Sequence, residues 1–582
     1  MANFRKWYPA LALAVLTIGS AASANAQPAF ACTSGAGVPP IVRAEGVTEL
    51  VGDLVLNCTG GTPTAVGAQV PRVNFEIFLN TNVTSRVLGS GFSEALLLVD
   101  EPTNTLGTNT VVYCTDPTGC AQTGTGGAPV AASTPNAFHG RVNTAAPSRI
   151  AWAGVPIDPP GTTGTRIIRI TNVRANASQL GVSSTLIPTQ IVMFVSATST
   201  TSIPIGQTSH TVAFVQPGLT FSSRTTGSTA TFLQCVSAPP STSAFSNVLT
   251  FQEGFNSAFK RRNAGIGSTA DVTAALVPQA DFSSNPFTES GFYNPAAPSP
   301  FTTAGLADSG TLLRARFTNV PAGVTLTVTS NGVTTNSITG VVTPNTNAIG
   351  APSAGLAIRL VTPLTITAGV GEAVWEVMNS NPFALESVQI GVNVSFTAGS
   401  TATPPALGTA TVAGSFAPIA TTSSAIPRFI ETAVASTLFT VNACTTNILF
   451  PFLTNQAGFD SGIAIANTSK DPFGTAAQAG ACTLNYYGTT AAGGAAPAAQ
   501  TSTSIASGTT LTATLSSGGT NGIVATPGFQ GYVIAQCSFQ YAHGLAFISD
   551  VGANRISEAY LGLIMDKPTE SRTPFTSESL GN

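Results

Sequence analysis

Apolar and polar residues alternate with a period of two over many short segments of this chain. The segments 388–396 and 324–328 show the alternation most clearly. Successive side chains of a strand point to opposite faces, so this pattern is typical of strands with one face in a core and the other in water. Similar segments, rich in the Val and Thr that half-buried strands favour, run over 72–79, 93–100, 108–114, 166–173, 190–196, 210–216 and 531–541.

Turn signals separate these segments at short intervals. The chain has 57 Gly and 39 Pro, and Asn331-Gly332 after the 324–328 segment is typical of a tight hairpin turn. No long stretch keeps the period of 3.6 that an amphipathic helix requires, and Asn263 to Val277 is the best helix candidate. Short strands with frequent turns predict an all-β protein made of tandem antiparallel β-sandwich units of Ig-like type.

Two short motifs occur twice along the chain. The segment 169–173 (RITNV) recurs as 316–320 (RFTNV), and 254–258 (GFNSA) resembles 458–462 (GFDSG). Their consistent order predicts internal duplication, with units of two types in alternation. We expect a signal peptide over 1–26 and a flexible tail over 569–582. Between them we expect the units a1 (27–145), b1 (146–222), a2 (230–305), b2 (306–428) and a3 (440–568).

The N-terminus has the layout of a secretory signal. Arg5 and Lys6 precede an apolar segment, 11–18, that is too short to span a bilayer, and residues 24–26 (ANA) fit a cleavage site. Cleavage after 22–24 (ASA) or after 29–31 (AFA) is an alternative, and the latter would leave Cys32 first, as in a lipoprotein. No other segment is apolar enough for a transmembrane helix. We therefore expect a protein that is secreted or held at the cell surface.

The cysteines fit an exported chain. There are eight of them: Cys32, Cys58, Cys114, Cys120, Cys235, Cys444, Cys482 and Cys537. An even number in an exported protein predicts disulfides, and the absence of a C-x-x-C motif argues against a zinc or thioredoxin-like site. Eight cysteines allow about 105 pairings. We favour Cys32–Cys58, Cys114–Cys120, Cys482–Cys537 and Cys235–Cys444.

Charged residues are rare in this sequence. They make up 8% of the chain, against about 25% in soluble globular proteins, and the segments 175–223 and 472–549 contain none. A formal net charge of −3 and the lack of a basic stripe argue against a nucleic-acid partner. The one compact basic cluster, Lys260-Arg261-Arg262, is expected to lie in a solvated loop between strands.

Motifs for catalysis or cofactor binding are missing from the sequence. It has no H-E-x-x-H, G-x-S-x-G, P-loop, dinucleotide or EF-hand motif. We therefore predict no catalytic residue, no metal ligand and no cofactor. Glu372 and Glu376 would share a face of one strand and could approach a glycosidase-like pair only roughly. Trp375 between them is interpreted as a core residue rather than as a platform for sugar.

One histidine has a suggestive setting. If residues 531–543 form a single strand, then Cys537, Phe539, Tyr541 and His543 share a face. One hypothesis is a ring-lined ligand pocket of Phe539 and Tyr541, with His543 as its hydrogen-bonding partner. The alternative, which we favour, is a core face closed by a disulfide, with His543 at the end of the strand.

The C-terminal part of the chain resembles a known group of proteins. The segments 458–467 (GFDSGIAIAN), 482–487 (CTLNYY) and 528–550 (GFQGYVIAQCSFQYAHGLAFISD) are similar to a module of uncharacterised secreted β-rich proteins from environmental Gram-negative bacteria. The segment 42–46 (VRAEG) is similar to the start of the same proteins. The resemblance implies export and a β-rich fold. It implies no activity and no functional residues.

These observations lead to three functional hypotheses. The leading one is a secreted or cell-surface non-catalytic protein for adhesion, scaffolding or binding, whose partners are extracellular or cell-surface components. The second is a self-associating filament subunit, because low charge removes the repulsion that guards sheet edges. The third is a secreted hydrolase or carbohydrate-active enzyme, whose carboxylates would have to come together from distant units.

Overall fold

Strands account for nearly all of the regular structure in this protein. The computed structural model describes residues 29–89, 91–100, 111–127, 133–182, 187–199, 203–225, 231–240, 245–262, 288–294, 296–330, 333–335, 342–344, 356–398, 404–565 and 580–581. These ranges contain strands β1 to β38 and no α-helix. Three single turns of 3-10 helix occur, at Ala177–Gln179, Phe301–Thr303 and Ala491–Gly493. The predicted all-β class is confirmed.

The first unit, unit I, covers residues 31–216 and is built on one large sheet. Its strand order is β1-β4-β11-β7-β9-β10-β5-β13-β14-β2, with β6 and β8 at the side and β3 paired to β12. The strands are β1 Ala31–Ala36, β2 Ile41–Arg43, β3 Glu49–Leu50, β4 Leu54–Gly60, β5 Arg72–Leu79, β6 Val87–Gly89, β7 Phe92–Val99, β8 Tyr113–Cys114, β9 Ala137–Asn143, β10 Ala146–Pro156, β11 Gly161–Thr171, β12 Arg174–Ala175, β13 Thr189–Ser199 and β14 Ser209–Gln216.

This sheet curls until its two ends meet. The N–H of Cys32 on β1 donates to the carbonyl of Pro204 at 2.9 Å, and the N–H of Gly206 donates back to Cys32 at 2.9 Å. The core therefore lies inside a single wrapped sheet, where Phe75, Trp152 and Ile191 are buried together. A strongly twisted sheet of this many strands curls rather than staying open, so unit I differs from a two-sheet sandwich.

The second unit, unit II, covers residues 219–442 and has two facing sheets. Their strand orders are β15-β17-β24-β19 and β16-β26-β25-β18-β23-β22, and β20 pairs with β21 nearby. Trp375 and Phe251 are fully buried in the core between the two sheets. The strands are β15 Leu219–Thr225, β16 Thr231–Leu233, β17 Asn247–Glu253, β18 Leu312–Thr318, β19 Thr325–Val328, β20 Val333–Thr335, β21 Val342–Pro344, β22 Ala357–Thr362, β23 Gly371–Asn379, β24 Ser387–Ser395, β25 Gly408–Ala417 and β26 Ser436–Asn442.

The third unit, unit III, covers residues 446–565 and 580–581 and is also a pair of sheets. The orders are β30-β29-β34-β27-β37-β38, with β31 beside β29, and β33-β32-β28-β35-β36. Phe450, Leu484 and Phe539 are fully buried in its core. The strands are β27 Thr446–Thr454, β28 Asp460–Asn467, β29 Cys482–Thr490, β30 Gly494–Ala495, β31 Gln500–Thr501, β32 Thr510–Thr514, β33 Gly518–Gly519, β34 Gln530–Cys537, β35 Ala542–Ser549, β36 Ser557–Leu561, β37 Leu563–Met565 and β38 Leu580–Gly581.

A stretch of unit II lies on the outside of unit I. This crossing segment, residues 288–294 and 296–308, runs between β17 and β18. Its Phe292 packs on Leu96 and Leu98, and its Phe301 meets Phe92 edge to face with ring centroids 5.4 Å apart. Strand β7 is consequently buried on both faces, and units I and II are packed together along it.

The sheets join segments that the repeat pattern placed in separate units. Strand β5 lies in the predicted unit a1 and pairs with β13 of the predicted unit b1 along Met193 to Ser199, so both segments enclose one core. Likewise β17, from the predicted a2, pairs with β24 of b2. Pairing between strands that are distant in sequence, rather than the order of the repeats along the chain, therefore defines these units. Apart from β38, unit III falls within the predicted a3.

Several expectations concern residues outside the described ranges. The signal peptide over 1–26, the helix candidate over 263–277 and the Asn331-Gly332 turn all lie there. Of the predicted tail, residues 580–581 form β38 and pair with β37. Within the described residues, no helix has the length and apolar character needed to cross a membrane.

All eight cysteines are paired. The bonds are Cys32–Cys58, Cys114–Cys120, Cys235–Cys444 and Cys482–Cys537, the same four pairs that the sequence analysis favours. Cys235–Cys444 joins the start of unit II to the chain just before unit III. The sulfur of Cys32 is bonded to Cys58, so it has no free valence for the thioether lipid of a lipoprotein.

The RITNV and RFTNV motifs have the same local geometry. Each is the end of a strand closed by an Asn in the left-handed region, Asn172 with φ 58° and Asn319 with φ 56°. Their surroundings differ. The side chain of Asn172 is buried and bonds both to the N–H (2.7 Å) and to the C=O (2.8 Å) of Phe292 in the crossing segment. Asn319 is exposed and makes no side-chain hydrogen bond to the described residues.

This difference makes the two asparagines a matched pair for mutation. N319A should cost about 1 kcal/mol, because Ala is strained in the left-handed region. N172A carries the same strain and also leaves two buried backbone groups of Phe292 unpaired, at about 1–3 kcal/mol each. We expect N172A to lower the free energy of unfolding by at least about 2 kcal/mol more than N319A does. Denaturant titration of both variants measures this, and equal losses would contradict the docking role of Asn172.

Candidate functional site

The residues proposed for a ligand pocket do not come together. Strand β34 ends at Cys537, and Tyr541 has φ 59° in the turn that leads to β35. Phe539 points into the core of unit III, whereas Tyr541 and His543 are exposed. The interpretation of 531–543 as one strand was wrong, because a turn in the middle resets the alternation of faces. The hypothesis that these residues share a pocket therefore loses its geometric basis.

The other sequence candidates are placed as follows. Trp375 is a core residue, and its indole N–H donates to the carbonyl of Thr329 at 2.9 Å. Glu376 is buried and bonds to Arg359, while Glu372 is half-exposed beside Arg314. Glu372 and Glu376 therefore belong to two separate ion pairs and do not face each other as an acid–base pair.

The three histidines lie on β9, β14 and β35. His139 is buried in unit I, stacked on Phe301 with ring centroids 4.0 Å apart, and its burial lowers its pKa to about 4. Nε2 of His210 lies 2.7 Å from the hydroxyl of Ser34. The described residues contain no group of three or more His, Cys, Asp or Glu that could hold a metal ion.

The charges of this charge-poor chain converge between units I and II. Arg43, at the end of β2, is fully buried. Its guanidinium donates to Glu289 of the crossing segment at 2.7 and 2.9 Å, and to Glu49 at 2.9 Å. Gly46 makes this possible, because a Cβ at that position would lie 2.2 Å from the Glu49 carboxylate. We call this arrangement the Arg43 network.

Electrostatics and packing both hold the Arg43 guanidinium in its charged form. Burial alone would lower the pKa of Arg43, but Glu289 and Glu49 outweigh burial and raise it. Burial likewise would raise the pKa of Glu289, and Arg43 reverses this and lowers it. The guanidinium also lies over the ring of Phe429, with its carbon 4.7 Å from the centroid. Two oppositely charged partners and an aromatic face compensate for the loss of water.

Two further cations extend the network. Lys260 is buried, with its ammonium 3.9 Å from Glu49. The expectation of a solvated basic loop was wrong for Lys260, because this residue lies at the contact of the two units. Burial lowers its pKa, and Glu49 opposes that shift. Arg174 pairs with Glu94 at 3.0 Å and donates to the backbone carbonyl of Glu289 at 2.7 Å.

A cleft opens at the surface between units I and II. It has a volume of about 760 Å³ and is walled by both units. The chain around 428–430 of unit II is fixed to unit I by backbone bonds from Val47 to the carbonyl of Arg428 and from Ile430 to the carbonyl of Glu45, both 2.9 Å. The lining residues are Val83, Thr84, Ser85, Arg86, Val87, Val142, Asn143, Thr144, Pro147, Asp308, Ser423, Ser424, Ala425, Ile426 and Arg428.

Sequence reasoning missed both the network and the cleft. Arg43 and Glu289 are 246 residues apart, and no local pattern connects them. One signal was present: isolated charges inside apolar segments, such as Glu94 within 92–99 and Arg43 after Val42. A charge in such a position must be paired when the segment is buried.

One buried carboxyl group of unit II, that of Glu253, has a raised pKa. Glu253, at the end of β17, is buried and accepts the N–H of Phe259 at 2.7 Å and that of Glu386 at 2.9 Å. Burial, with a further contribution from the neighbouring Glu386 carboxylate, raises the pKa of Glu253 to about 7. The acid is therefore neutral at mildly acidic pH in the folded chain.

This shift predicts a pH dependence of stability. Between pH of about 4.5 and 7, the unfolded chain has lost the proton of Glu253 while the folded chain keeps it. Folding then favours the protonated state, so stability falls as pH rises through this window. We expect wild type to lose more stability than E253Q between pH 5 and pH 8. Denaturant titration at both values measures this, and parallel losses in the two proteins would contradict it.

The Arg43 network makes a second prediction about stability. Replacing Arg43 by Met removes the hydrogen-bonded cation of two buried carboxylates, which costs about 3–5 kcal/mol. The control is R149M, which breaks the partly exposed pair of Arg149 with Glu76 and should cost about 1 kcal/mol or less. Thermal and denaturant unfolding of both variants measure the difference. A loss for R43M as small as that for R149M would show that the network does not hold the units together.

Comparisons with known proteins add little to this picture. No protein-family model and no curated protein sequence matches the chain. Among solved structures, a chain described as "Biofilm associated protein - B domain" is similar with a TM-score of 0.15 and 10% sequence identity, over 70% of this chain and 85% of that chain. At this TM-score the likeness says nothing about what the present chain binds or does.

Proposed function

We propose that this protein is an exported, non-catalytic binding and scaffolding protein of the cell surface or extracellular matrix. Its export is supported by the layout of residues 1–26 and by four disulfides, since such bonds persist in oxidising compartments. The similarity of its C-terminal part to secreted β-rich bacterial proteins belongs to the same proposal. Its partners are extracellular or cell-surface components.

The main support for this proposal is that nearly all described carboxylates are bound to other groups of the fold. Within the described residues, every Asp and Glu side chain except Glu558 has a partner in the chain. One group lies beside an arginine: Glu49, Asp53, Glu76, Glu94, Asp100, Glu289, Asp308, Glu372, Glu376 and Glu431. The other accepts backbone N–H groups: Glu45, Asp116, Asp158, Glu253, Glu386, Asp460, Asp471 and Asp550. Acids engaged in this way hold the fold together and are poorly placed to move protons for a substrate.

Unit III supplies the surfaces for binding in this proposal. Its strands β29 to β35 all lie within the charge-free segment 472–549. On one sheet Tyr487 and Tyr532 are exposed and stacked, with ring centroids 5.0 Å apart. Neutral faces with exposed aromatic rings bind by shape, ring stacking and hydrogen bonds, and such contacts depend little on salt.

The opposite sheet of unit III offers an apolar patch. Leu545 lies opposite Leu561 in the register of β35 with β36, and both side chains are exposed. The ring of Phe547 covers Gly462 on β28, where a Cβ would approach it to 2.3 Å. Exposed apolar patches of this kind are typical of interaction surfaces.

The filament hypothesis has weaker support than the binding hypothesis. Strand β36 is an edge of the five-stranded sheet and could pair with another chain. It carries Glu558, the one described carboxylate without a partner, and a charge on an edge strand opposes edge-to-edge pairing.

Retention on cells tests the proposal. Purified mature protein is added to cells of the producing strain from which its gene has been deleted, and bound protein is measured by immunoblot. We expect wild type to be retained equally at ~0.15 and ~1 M NaCl, because neutral contacts are not screened. Y487A/Y532A should lose most of the retention.

The control variant is F473A, which removes an exposed ring outside the strands of unit III. Its retention should match wild type. Loss of retention at high salt, or equal loss in F473A and the double variant, would count against binding by the neutral faces. Turnover of polysaccharide or ester substrates by the pure protein would overturn the non-catalytic assignment.

A further inference from the structure

The cleft between units I and II contains a cation with unused donors. Arg428 is half-buried in the cleft wall, and its Nη1 donates to the carbonyls of Ser424 at 3.0 Å and Ala425 at 3.5 Å. It forms no ion pair with the described residues, and its Nε and Nη2 make no hydrogen bond to them. Arg43, Arg149 and Arg174 use their donors on carboxylates, whereas Arg428 keeps donors that a ligand could use.

The second cation of the cleft is only partly neutralised. Arg86 pairs with Asp308 at 2.8 Å, and the same Asp308 oxygen also accepts the N–H of Ile426 at 2.8 Å. The Nε of Arg86 is buried and has no partner. The lining therefore contains two guanidinium groups and one carboxylate, which pairs with Arg86 alone, and the cleft has a positive balance.

The electrostatic environment agrees with this balance. Burial lowers the pKa of Arg428, and the charges of Arg174 and Arg86 lower it further, with Glu94 acting in the opposite direction. An anion placed in the cleft would relieve this repulsion. A guanidinium presents its N–H groups in a fork that matches a carboxylate, which makes carboxylate the best-fitting anion.

Neutral polar groups complete the lining and indicate what carries the anion. Thr84, Asn143, Thr144, Ser423 and Ser424 line the same cleft, and the hydroxyl of Thr84 also donates to the carbonyl of Val47. Hydroxyl and amide groups are suited to hydrogen bonds with the hydroxyls of a sugar, and a cleft of about 760 Å³ lies within the usual range of ligand sites.

We propose that this cleft binds the carboxylate of an acidic sugar, with Arg428 as the principal anion ligand and Arg86 beside it. The polar lining orients the sugar ring. This site is distinct from the neutral faces of unit III, and it differs from them in one measurable respect: its affinity must fall with salt, because part of the charge attraction is exposed to solvent.

Calorimetric titration of the full mature chain tests the site. The probes are D-galacturonate and a galacturonate oligomer, and D-galactose and a galactose oligomer are the matched neutral sugars. At low salt we expect the acidic probes to bind and the neutral ones to bind at least tenfold more weakly, with affinity for the acids lost toward ~1 M NaCl. R428Q should weaken binding of the acids at least tenfold. R428K, which keeps the charge without the fork, should fall between R428Q and wild type.

Two further variants act as controls. R555Q makes the same charge change on an exposed loop of unit III and should leave affinity unchanged, while D308N removes the competing carboxylate and should tighten binding. Circular dichroism and thermal unfolding establish that each variant is folded.

The outcomes separate the possible sources of the ligand. Tighter binding of the oligomer than of the monomer identifies an acidic polysaccharide, and equal affinity identifies a free sugar acid; both support the site. No binding of either acid, equal binding of galactose, or equal effects of R428Q and R555Q would overturn it. If the acidic sugars do not bind but the protein is still retained on cells at high salt, the cleft proposal is wrong and the proposed surface function is unaffected.

Discussion

The buried Arg43 network is the constraint on which the arrangement of units I and II depends. A guanidinium without water must be matched by charge and by hydrogen bonds, and here Glu49 comes from the same unit while Glu289 comes from the crossing segment. Replacing such a network by apolar residues often costs nothing, so its value lies in specificity rather than in net stability. The observed placement of the crossing segment brings Glu289 to Arg43. That placement also sets Phe292 and Phe301 on β7 and positions both walls of the cleft.

The few charged residues of the chain are used mainly inside the fold. In units I and II the described carboxylates are engaged in ion pairs and backbone caps, and a large part of the charge is internal. In unit III the strands β29 to β35 are charge-free and exposed aromatic rings lie on one sheet, so much of its surface is neutral. The chain thus has a charged contact between units I and II and neutral surfaces on unit III. This division of roles suits a protein that works by binding at several places, and it gives the two proposed sites opposite responses to salt.

Much of the local structure could be predicted from sequence because strand alternation is a local property. The segment 72–79 is β5 without an error at either end, and 388–396 differs from β24 by one residue at each end. Prediction failed where a left-handed residue breaks the alternation, as at Tyr541, and where pairing is non-local, as between β5 and β13. The four disulfide pairs agree with the favoured pattern. The candidate site could not be predicted, because Arg86 and Arg428 are brought together only by the docking of two units.

A double-mutant cycle on Arg43 and Glu289 shows whether the buried ion pair couples units I and II. The free energy of unfolding is measured for wild type, R43M, E289M and R43M/E289M. We expect the double variant to be more stable than the sum of the single losses implies, by about 2 kcal/mol or more, because neither residue is left as an unpaired buried charge. Additive losses, with a coupling energy near zero, would show that the two residues do not hold units I and II in register.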